Sequence, residues 1–153
     1  QLGDGFQLVF NLINQKALPV MQQAAAAGYG VIARMPLQFG LLSGKILKGA
    51  SFDKDDHRSF RLTDEIIEAT LQVLDTKVWH LCKKYDTNPA ALALSYILSY
   101  PEISTVIPGI RVPHHVAWNT QHLVQLDEAD KVYLHSLYAS DWTPILDMMQ
   151  QRG

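Results

Sequence analysis

Apolar residues in this chain follow two patterns, short continuous runs and longer stretches with helical spacing. Between the first two short runs, Pro19 is typical of the first turn of a helix that continues to Ala27, and Gly28 is typical of its C-terminal cap. Strands that alternate with helices indicate a parallel sheet with right-handed crossovers. The short runs contain β-branched residues and predict buried strands over residues 6–13, 30–37 and 103–107.

Helical spacing dominates the stretch that begins at Thr63. This threonine is a predicted N-cap, because acidic residues occupy the turn that follows it. Asn88 and Pro89 begin a further helix whose residues 90–98 are nearly all apolar, so we expect it to be buried on most sides. Between these two starts, steps of four and three residues predict one amphipathic helix with a core-facing stripe of Ile67, Leu71, Leu74, Val78, Leu81 and Tyr85.

The other segments predict two more helices, an external tail and one long loop. A short helix is expected over residues 113–121, and Asp127 is expected to cap a final helix that ends near Tyr138. The tail around Trp142 is predicted to pack across the outside of the protein. Residues 38–62 lack clean periodicity and predict a long loop on the ligand side of the fold, since long ordered loops are often functional.

Two of the predicted strands run into glycine-containing loops with basic residues. The sequence PLQFGLLSGK occupies residues 36–45, and TVIPGIRVPHHVAWN occupies residues 105–119. Glycines allow backbone N–H groups to approach an anion closely, and Lys45 adds a point charge. Because the strand, loop and helix recur in the same order, the sequence predicts one face that holds a phosphorylated ligand.

Composition and charge restrict the class of protein. The chain has 153 residues, of which 48% are apolar and 18% charged, and this predicts a single packed domain over residues 1–153. The formal net charge of −2 argues against nucleic acid or an anionic membrane as a partner. The one cysteine, Cys82, excludes an intrachain disulfide and indicates the cytoplasm, and it is expected to pack rather than react. No apolar run approaches the ~18 residues that span a bilayer.

Several motifs together resemble the C-terminal half of the aldo-keto reductases. They are Gln7-x-x-Phe10-Asn11, ARMPLQFGLLSGK, the segment 56–58 with Phe60, and IPGIRVPHHVAWN. The resemblance implies part of a TIM-type (β/α)8 barrel, a half-barrel with about three parallel strands and surrounding helices. It also implies an oxidoreductase that transfers hydride from NADPH to carbonyls.

The resemblance further implies a set of NADPH-binding residues. Gln7 resembles the residue that hydrogen-bonds the nicotinamide carboxamide, and Arg34 lies where relatives place an aromatic ring or an arginine beside the nicotinamide. His115 and Asn119 match positions near the adenosine phosphate and the adenine. The loop over the pyrophosphate is matched by Pro36, Leu37, Gly40, Leu42, Ser43 and Lys45, and the stretch around the 2′-phosphate by Gly109, Ile110 and Arg111.

Two positions depart from the family pattern. Trp118 stands where relatives carry Glu or Gln at the adenine edge, and an indole accepts no hydrogen bond, although it can stack. His115 is a weaker phosphate anchor than arginine at neutral pH. Both departures bear on how tightly NADPH binds.

The resemblance also implies that the catalytic groups lie elsewhere. The family's proton-donating Tyr and its Lys, Asp and His partners come from the first half of the barrel, and no tyrosine in this sequence matches that role. We therefore predict a truncated aldo-keto reductase-like piece that carries the NADPH-binding half, has no catalytic residue of its own and is inactive alone. The alternatives are a non-catalytic oligomeric half-barrel that no longer binds nucleotide, and a piece of a longer gene product.

Exposed barrel surfaces predict a homo-oligomer. A complete barrel typically needs ~250 residues, and a half-barrel leaves strand edges and interior side chains bare. We expect a homodimer that covers them, with a rearranged monomer or a separately encoded first half as alternatives. No metal site is expected, because the adjacent His114 and His115 point ~100° apart on a helix and residues 55–57 are predicted to form a solvated loop. Arg58 is expected to pair with a nearby acid or with carbonyl groups of the chain.

Overall fold

A parallel sheet with helices packed on one face makes up this computed structural model, which describes residues 3–110 and 112–152. The described strands are β1 (Gly5–Val9), β2 (Gly30–Arg34) and β3 (Thr105–Val106), in the order β1-β2-β3. Both pairings are parallel, with Gln7 opposite Ile32 and Ile32 opposite Thr105. The predicted parallel arrangement is confirmed.

The strands are shorter than the apolar runs, so the predicted ends were wrong. β1 stops before Phe10, because the Asn11 side-chain oxygen accepts hydrogen bonds from the backbone N–H groups of Ile13 and Asn14 at 2.9 and 2.8 Å and turns the chain. β2 stops at Arg34, because Met35 adopts a φ of 56°, which no strand continues.

The helices of the first two-thirds follow the predicted pattern closely. α1 (Leu18–Ala26) ends before Gly28, which has a φ of 83° as a C-terminal cap requires. A short α2 (Arg58–Arg61) precedes α3 (Asp64–Val73), and the Thr63 hydroxyl accepts a hydrogen bond from the Ile66 N–H at 3.4 Å as the predicted N-cap. The chain then passes through a π-helical segment (Leu74–Val78) into α4 (His80–Lys84).

The amphipathic stripe is confirmed in part. Its members at 67, 74, 78 and 81 are buried, whereas Leu71 and Tyr85 are half-buried. The π-helical segment lies between Leu71 and Tyr85, and a regular helical period does not reveal it. In α5 (Pro89–Leu98), the Asn88 side chain accepts a hydrogen bond from the Ala91 N–H at 2.9 Å, and residues 90–97 are buried as predicted.

The prediction of an external tail was wrong. α6 (His114–Thr120) and α7 (Glu128–Leu137) lie near the predicted positions, but a second π-helical segment (Tyr138–Trp142) and α8 (Thr143–Gln150) follow them. Trp142 is fully buried, and α8 packs against α3. Pro144 does not break this helix, because it sits in the first turn, where the missing N–H has no partner to lose.

The two faces of the sheet differ in what covers them. Val31 and Ala33 point into the hydrophobic core and are fully buried. The alternate positions lie on the other face, where Gln7, Arg34 and Thr105 are exposed. The core therefore lies between one face of the sheet and the helices, and the loops that follow β2 and β3 emerge at the same edge.

Candidate functional site

A cleft with a volume of about 350 Å³ lies where the segments that follow β2 and β3 meet. One wall is the segment after β2, which includes a 3₁₀ segment (Gln38–Ser43), and the opposite wall is α6 with the loop after β3. Ligands of open parallel sheets bind at the carboxyl ends of strands, where such loops converge. Most of the residues predicted to bind cofactor line this cleft: Pro36, Leu37, Gly40, Ser43, Lys45, Gly109, His115 and Asn119.

Four other predicted residues are described by the structure, and none of these four lines the cleft. Gln7 and Arg34 lie on the exposed face of the sheet. Leu42 is fully buried in the core, so its side chain is not available to a ligand, and Ile110 is 58% exposed outside the cleft. Arg111 lies outside the described residues.

Backbone strain is concentrated in the loop after β2. Met35, Gln38 and Phe39 have φ angles of 56°, 42° and 56°, a left-handed region that such residues rarely occupy. Each such residue costs on the order of 1–3 kcal/mol, and strained residues of this kind cluster at ligand sites. The sequence contains no signal for this strain, since Met, Gln and Phe do not favour positive φ.

Two buried amides hold the strained loop in place. The Asn11 side-chain amide donates to the Met35 carbonyl at 2.9 Å and to the Gln38 side-chain oxygen at 2.8 Å. Gln38 in turn donates to the sulfur of Met149 in α8 at 3.5 Å. Asn11 follows β1, so these bonds join the segment after β1, the loop after β2 and α8.

The turn that carries Lys45 is built around Gly44. The Ser43 hydroxyl donates to the Gly40 carbonyl at 2.6 Å and accepts from the Lys45 N–H at 3.2 Å. Gly44 has a φ of 72°, and a Cβ at this position would lie 2.7 Å from Cγ of Pro89 at the start of α5. Glycine therefore allows the turn to approach the helix closely and to present Lys45 at the cleft.

A second cation reaches the cleft from α2. Arg58 lines the cleft and donates from Nε and Nη2 to the Asp56 carboxylate at 3.0 and 2.6 Å, which confirms the predicted pairing with an acid. Its guanidinium also lies 4.5 Å from the ring centre of Phe52. The hydrogen bond from Arg58 lowers the pKa of Asp56, and the same bond raises the pKa of Arg58. Arg58 therefore remains charged and oriented, although it was not among the predicted site residues.

Trp118 is a further lining residue. Its side chain is 43% exposed, and the Lys45 ammonium lies 4.5 Å from the centre of its ring. The neighbouring Asn119 is buried and donates to the Gly109 carbonyl at 3.4 Å, which fixes α6 against the loop after β3. The contact between Lys45 and Trp118 thus spans the two walls of the cleft.

Comparison with known proteins gives the family. A family model of the aldo/keto reductases matches residues 5–139. The chain belongs to the aldo/keto reductase family. It is 33% identical over 103 residues to the uncharacterized oxidoreductase YrpG of Bacillus subtilis (strain 168), a match that covers 67% of this chain and 30% of that protein.

A solved structure supports the fold of this aldo/keto reductase chain. The glycerol dehydrogenase AKR11B4 from Gluconobacter oxydans superposes with a TM-score of 0.75 at 24% identity, over 88% of this chain and 42% of that one. The resemblance to a partial TIM-type barrel is therefore confirmed as a fold. The chain spans less than half the length of both relatives.

Aldo/keto reductases generally use NAD(P)H, and the donor set of the cleft fits such a cofactor. Lys45 supplies an ammonium group, Arg58 supplies a guanidinium that the Asp56 carboxylate orients, and Ser43 shapes the turn that carries Lys45. The glycine and proline residues of the lining allow a ligand to approach the backbone and an apolar wall closely. The exposed indole of Trp118 offers a flat surface on which a base can stack. This arrangement suits the binding of a dinucleotide with separated phosphate groups.

The cleft has no tyrosine among its described lining residues, so none is placed there to donate a proton. Burial raises the pKa of Tyr96, and Tyr100 adjoins it in the core, where their hydroxyls share a hydrogen bond of 2.7 Å. Burial also raises the pKa of Cys82 to about 11, which supports its predicted packing role.

Over residues 3–110 and 112–152, no three His, Cys, Asp or Glu side chains are grouped to hold a metal ion. No helix in the same ranges has the length and apolarity needed to cross a membrane.

Proposed function

We propose that this chain forms the C-terminal, NADPH-binding part of an aldo-keto reductase barrel and that the cleft is its cofactor site. The observation that carries the proposal is the juxtaposition of Ser43 and Lys45 after β2 with His115 and Asn119 on α6. These residues lie far apart in the sequence, and they were selected by their resemblance to cofactor-binding positions.

The proposed roles follow from the chemistry of each group. Lys45 and the glycine-rich backbone hold the pyrophosphate, Ser43 shapes the turn that presents Lys45, and Arg58 adds a guanidinium that Asp56 orients in the cleft wall. His115 and Asn119 belong to the adenosine end. Arg111 is proposed at the 2′-phosphate from its sequence position alone. Gln7 and Arg34 are proposed at the nicotinamide, on the exposed face of the sheet.

Once bound, the cofactor supplies a hydride, and carbonyl reduction also requires an acid for the developing alkoxide. No described tyrosine lines the cleft. We therefore propose that the chain binds NADPH but does not reduce carbonyls by itself, and that the acid belongs to another part of a complete barrel.

Calorimetric titration with NADPH and with ADP-ribose tests the proposal. The wild-type chain is expected to bind both, and Lys45→Ala is expected to weaken NADPH about 10- to 100-fold, the range for a charge-assisted contact. The matched control is Lys48→Ala, because Lys48 lies outside the cleft and pairs with Glu68 at 3.0 Å on the surface. No loss of NADPH absorbance is expected on addition of an aldehyde.

A second candidate function is an oligomeric half-barrel that no longer binds nucleotide. The contact of Lys45 with Trp118 favours it, because the ammonium is already engaged and an indole occupies the wall of the cleft. The absence of any heat with NADPH and ADP-ribose would favour this candidate. Measurable affinity for NADPH that depends on Lys45 would exclude it.

We also propose that the chain forms a homodimer in the cytoplasm. Among the described strands β1 pairs with β2 alone, and Phe6, Ile107 and Ile110 are 44%, 45% and 58% exposed. An open strand edge beside apolar side chains favours association with another chain. The single cysteine supports the cytoplasmic placement. Light scattering at micromolar concentration is expected to show twice the chain mass, and a monomeric mass would contradict the dimer.

A further inference from the structure

Trp118 differs in environment from the two other tryptophans of the chain. Trp142 is fully buried and Trp79 is half-buried, whereas Trp118 is 43% exposed in the wall of the cleft. An indole that is packed into the core serves stability. An indole that keeps this much of its surface exposed inside a concave site offers a flat apolar face to a ligand.

The chemistry of the indole limits what it can recognise. It has one N–H donor and no acceptor, so it cannot accept a hydrogen bond from the amino group of adenine. Stacking on an aromatic side chain, by contrast, is open to any base, because every base has a π-face. The adjacent Asn119 is buried, and its side-chain NH₂ group donates to the Gly109 carbonyl at 3.4 Å, so this NH₂ group holds α6 against the loop after β3.

The position of Lys45 indicates which part of a ligand lies beside the ring. Its ammonium lies 4.5 Å from the ring centre of Trp118 and comes from the opposite wall. A cation–π contact at an exposed site is weaker than a charge-assisted contact with phosphate. A phosphate therefore attracts Lys45 away from the ring and leaves the indole face open.

We propose that Trp118 is the base-binding residue of the cleft and that it holds the base of a nucleotide by stacking, with Lys45 on the adjoining phosphate. The inference rests on the proposed cofactor site and extends it. The site should therefore tolerate a change in the exocyclic group of the base, because Trp118 makes no hydrogen bond that recognises this group.

Calorimetry with three ligands separates this inference from the proposed function. The ligands are NADPH, its hypoxanthine analogue and inorganic pyrophosphate, and the proteins are wild type, Trp118→Ala and Trp118→Phe. The wild type is expected to bind the two dinucleotides within about threefold of each other, since stacking does not depend on the exocyclic group. Trp118→Ala is expected to weaken both dinucleotides about tenfold or more, and Trp118→Phe is expected to retain most of the affinity.

Pyrophosphate is the internal control, because it has no base to stack. Its affinity is expected to be the same in the wild type and both variants, which also shows that the variants are folded. Tight dinucleotide binding by Trp118→Ala, or a tenfold preference of the wild type for adenine over hypoxanthine, would overturn the inference while leaving the cofactor site intact. A wild-type chain that binds neither dinucleotide would overturn both proposals.

Discussion

Replacement of Gly44 by alanine is expected to destabilise the protein strongly, because this position has two separate constraints. Its φ of 72° lies in the left-handed region, and the added Cβ would lie 2.7 Å from Cγ and 3.0 Å from Cβ of Pro89. Gly49 provides a matched control in the same loop. Its φ of 76° is nearly identical, but a Cβ there would meet no atom within 4 Å.

The expected magnitudes follow from these two constraints. The left-handed conformation costs alanine about 1–2 kcal/mol, and a gain of about 0.4–1 kcal/mol from the less flexible unfolded chain offsets part of this cost. Gly49→Ala should therefore lower the free energy of unfolding by about 1 kcal/mol. Gly44→Ala carries in addition the overpacking against Pro89, about 1–3 kcal/mol, and should lose about 2–4 kcal/mol in total.

Urea unfolding followed by circular dichroism measures both variants under the same conditions. The account predicts that Gly44→Ala is less stable than Gly49→Ala by at least 1 kcal/mol, about a fivefold difference in the unfolding equilibrium constant. Equal losses would show that the turn carrying Lys45 does not pack against α5. The reasoning about how the cleft is built would then be wrong.

Three further outcomes are expected. Trp142→Ala should lose about 3–5 kcal/mol of unfolding free energy, because the indole is fully buried. A loss below about 1 kcal/mol would show that the segment around Trp142 is an external tail. Although burial opposes it, the hydrogen bonds from Lys84 and Tyr85 lower the pKa of Asp130 below 3.8. The resulting stability is present above pH 3.8 and is lost as the pH falls through the lower pKa of the folded state. In urea unfolding, the loss of unfolding free energy caused by Asp130→Asn should therefore become smaller below pH 3.8. A loss that stays constant with pH would refute this. Cys82, with its pKa raised to about 11, should react with an aromatic disulfide at neutral pH at least about tenfold more slowly than free cysteine.

Elements whose signals are local were predictable from the sequence. Thr63 and Asn88 both act as N-caps, and Gly28 has the positive φ of a C-terminal cap. Capping depends on a side chain and the backbone a few residues away, so it does not require knowledge of the fold. The buried face of α5 follows from an equally local pattern, and the parallel direction of the strands follows from their alternation with helices.

Elements that depend on distant contacts were not predictable. The turn at Asn11 and the strain at Met35 shorten β1 and β2, and the two sites are joined by a hydrogen bond of 2.9 Å across 24 positions of sequence. The π-helical segments interrupt patterns that a regular period would continue. α8 was not predicted, although Pro144 is well accommodated in its first turn.

The candidate site shows the same division. Lys45, Ser43 and Gly109 were identified from glycine-containing basic loops and from family resemblance, and the structure places them around one cleft. Arg58 and Trp118 were not among the residues predicted to bind the cofactor. The spacing Asp56-x-Arg58 was the available signal for the first, since a carboxylate two residues away orients the guanidinium. For the second, the family position at the adenine edge was the available signal, and the contact with Lys45 shows that the ring lies at the cleft.

Hydrogen–deuterium exchange with and without NADPH tests most directly whether the cleft is the cofactor site. The account predicts slower amide exchange in residues 36–45 and in α6 when NADPH is present, and unchanged exchange in α7, none of whose residues lines the cleft. Unchanged exchange in both cleft walls at saturating NADPH, or protection confined to other segments, would contradict it.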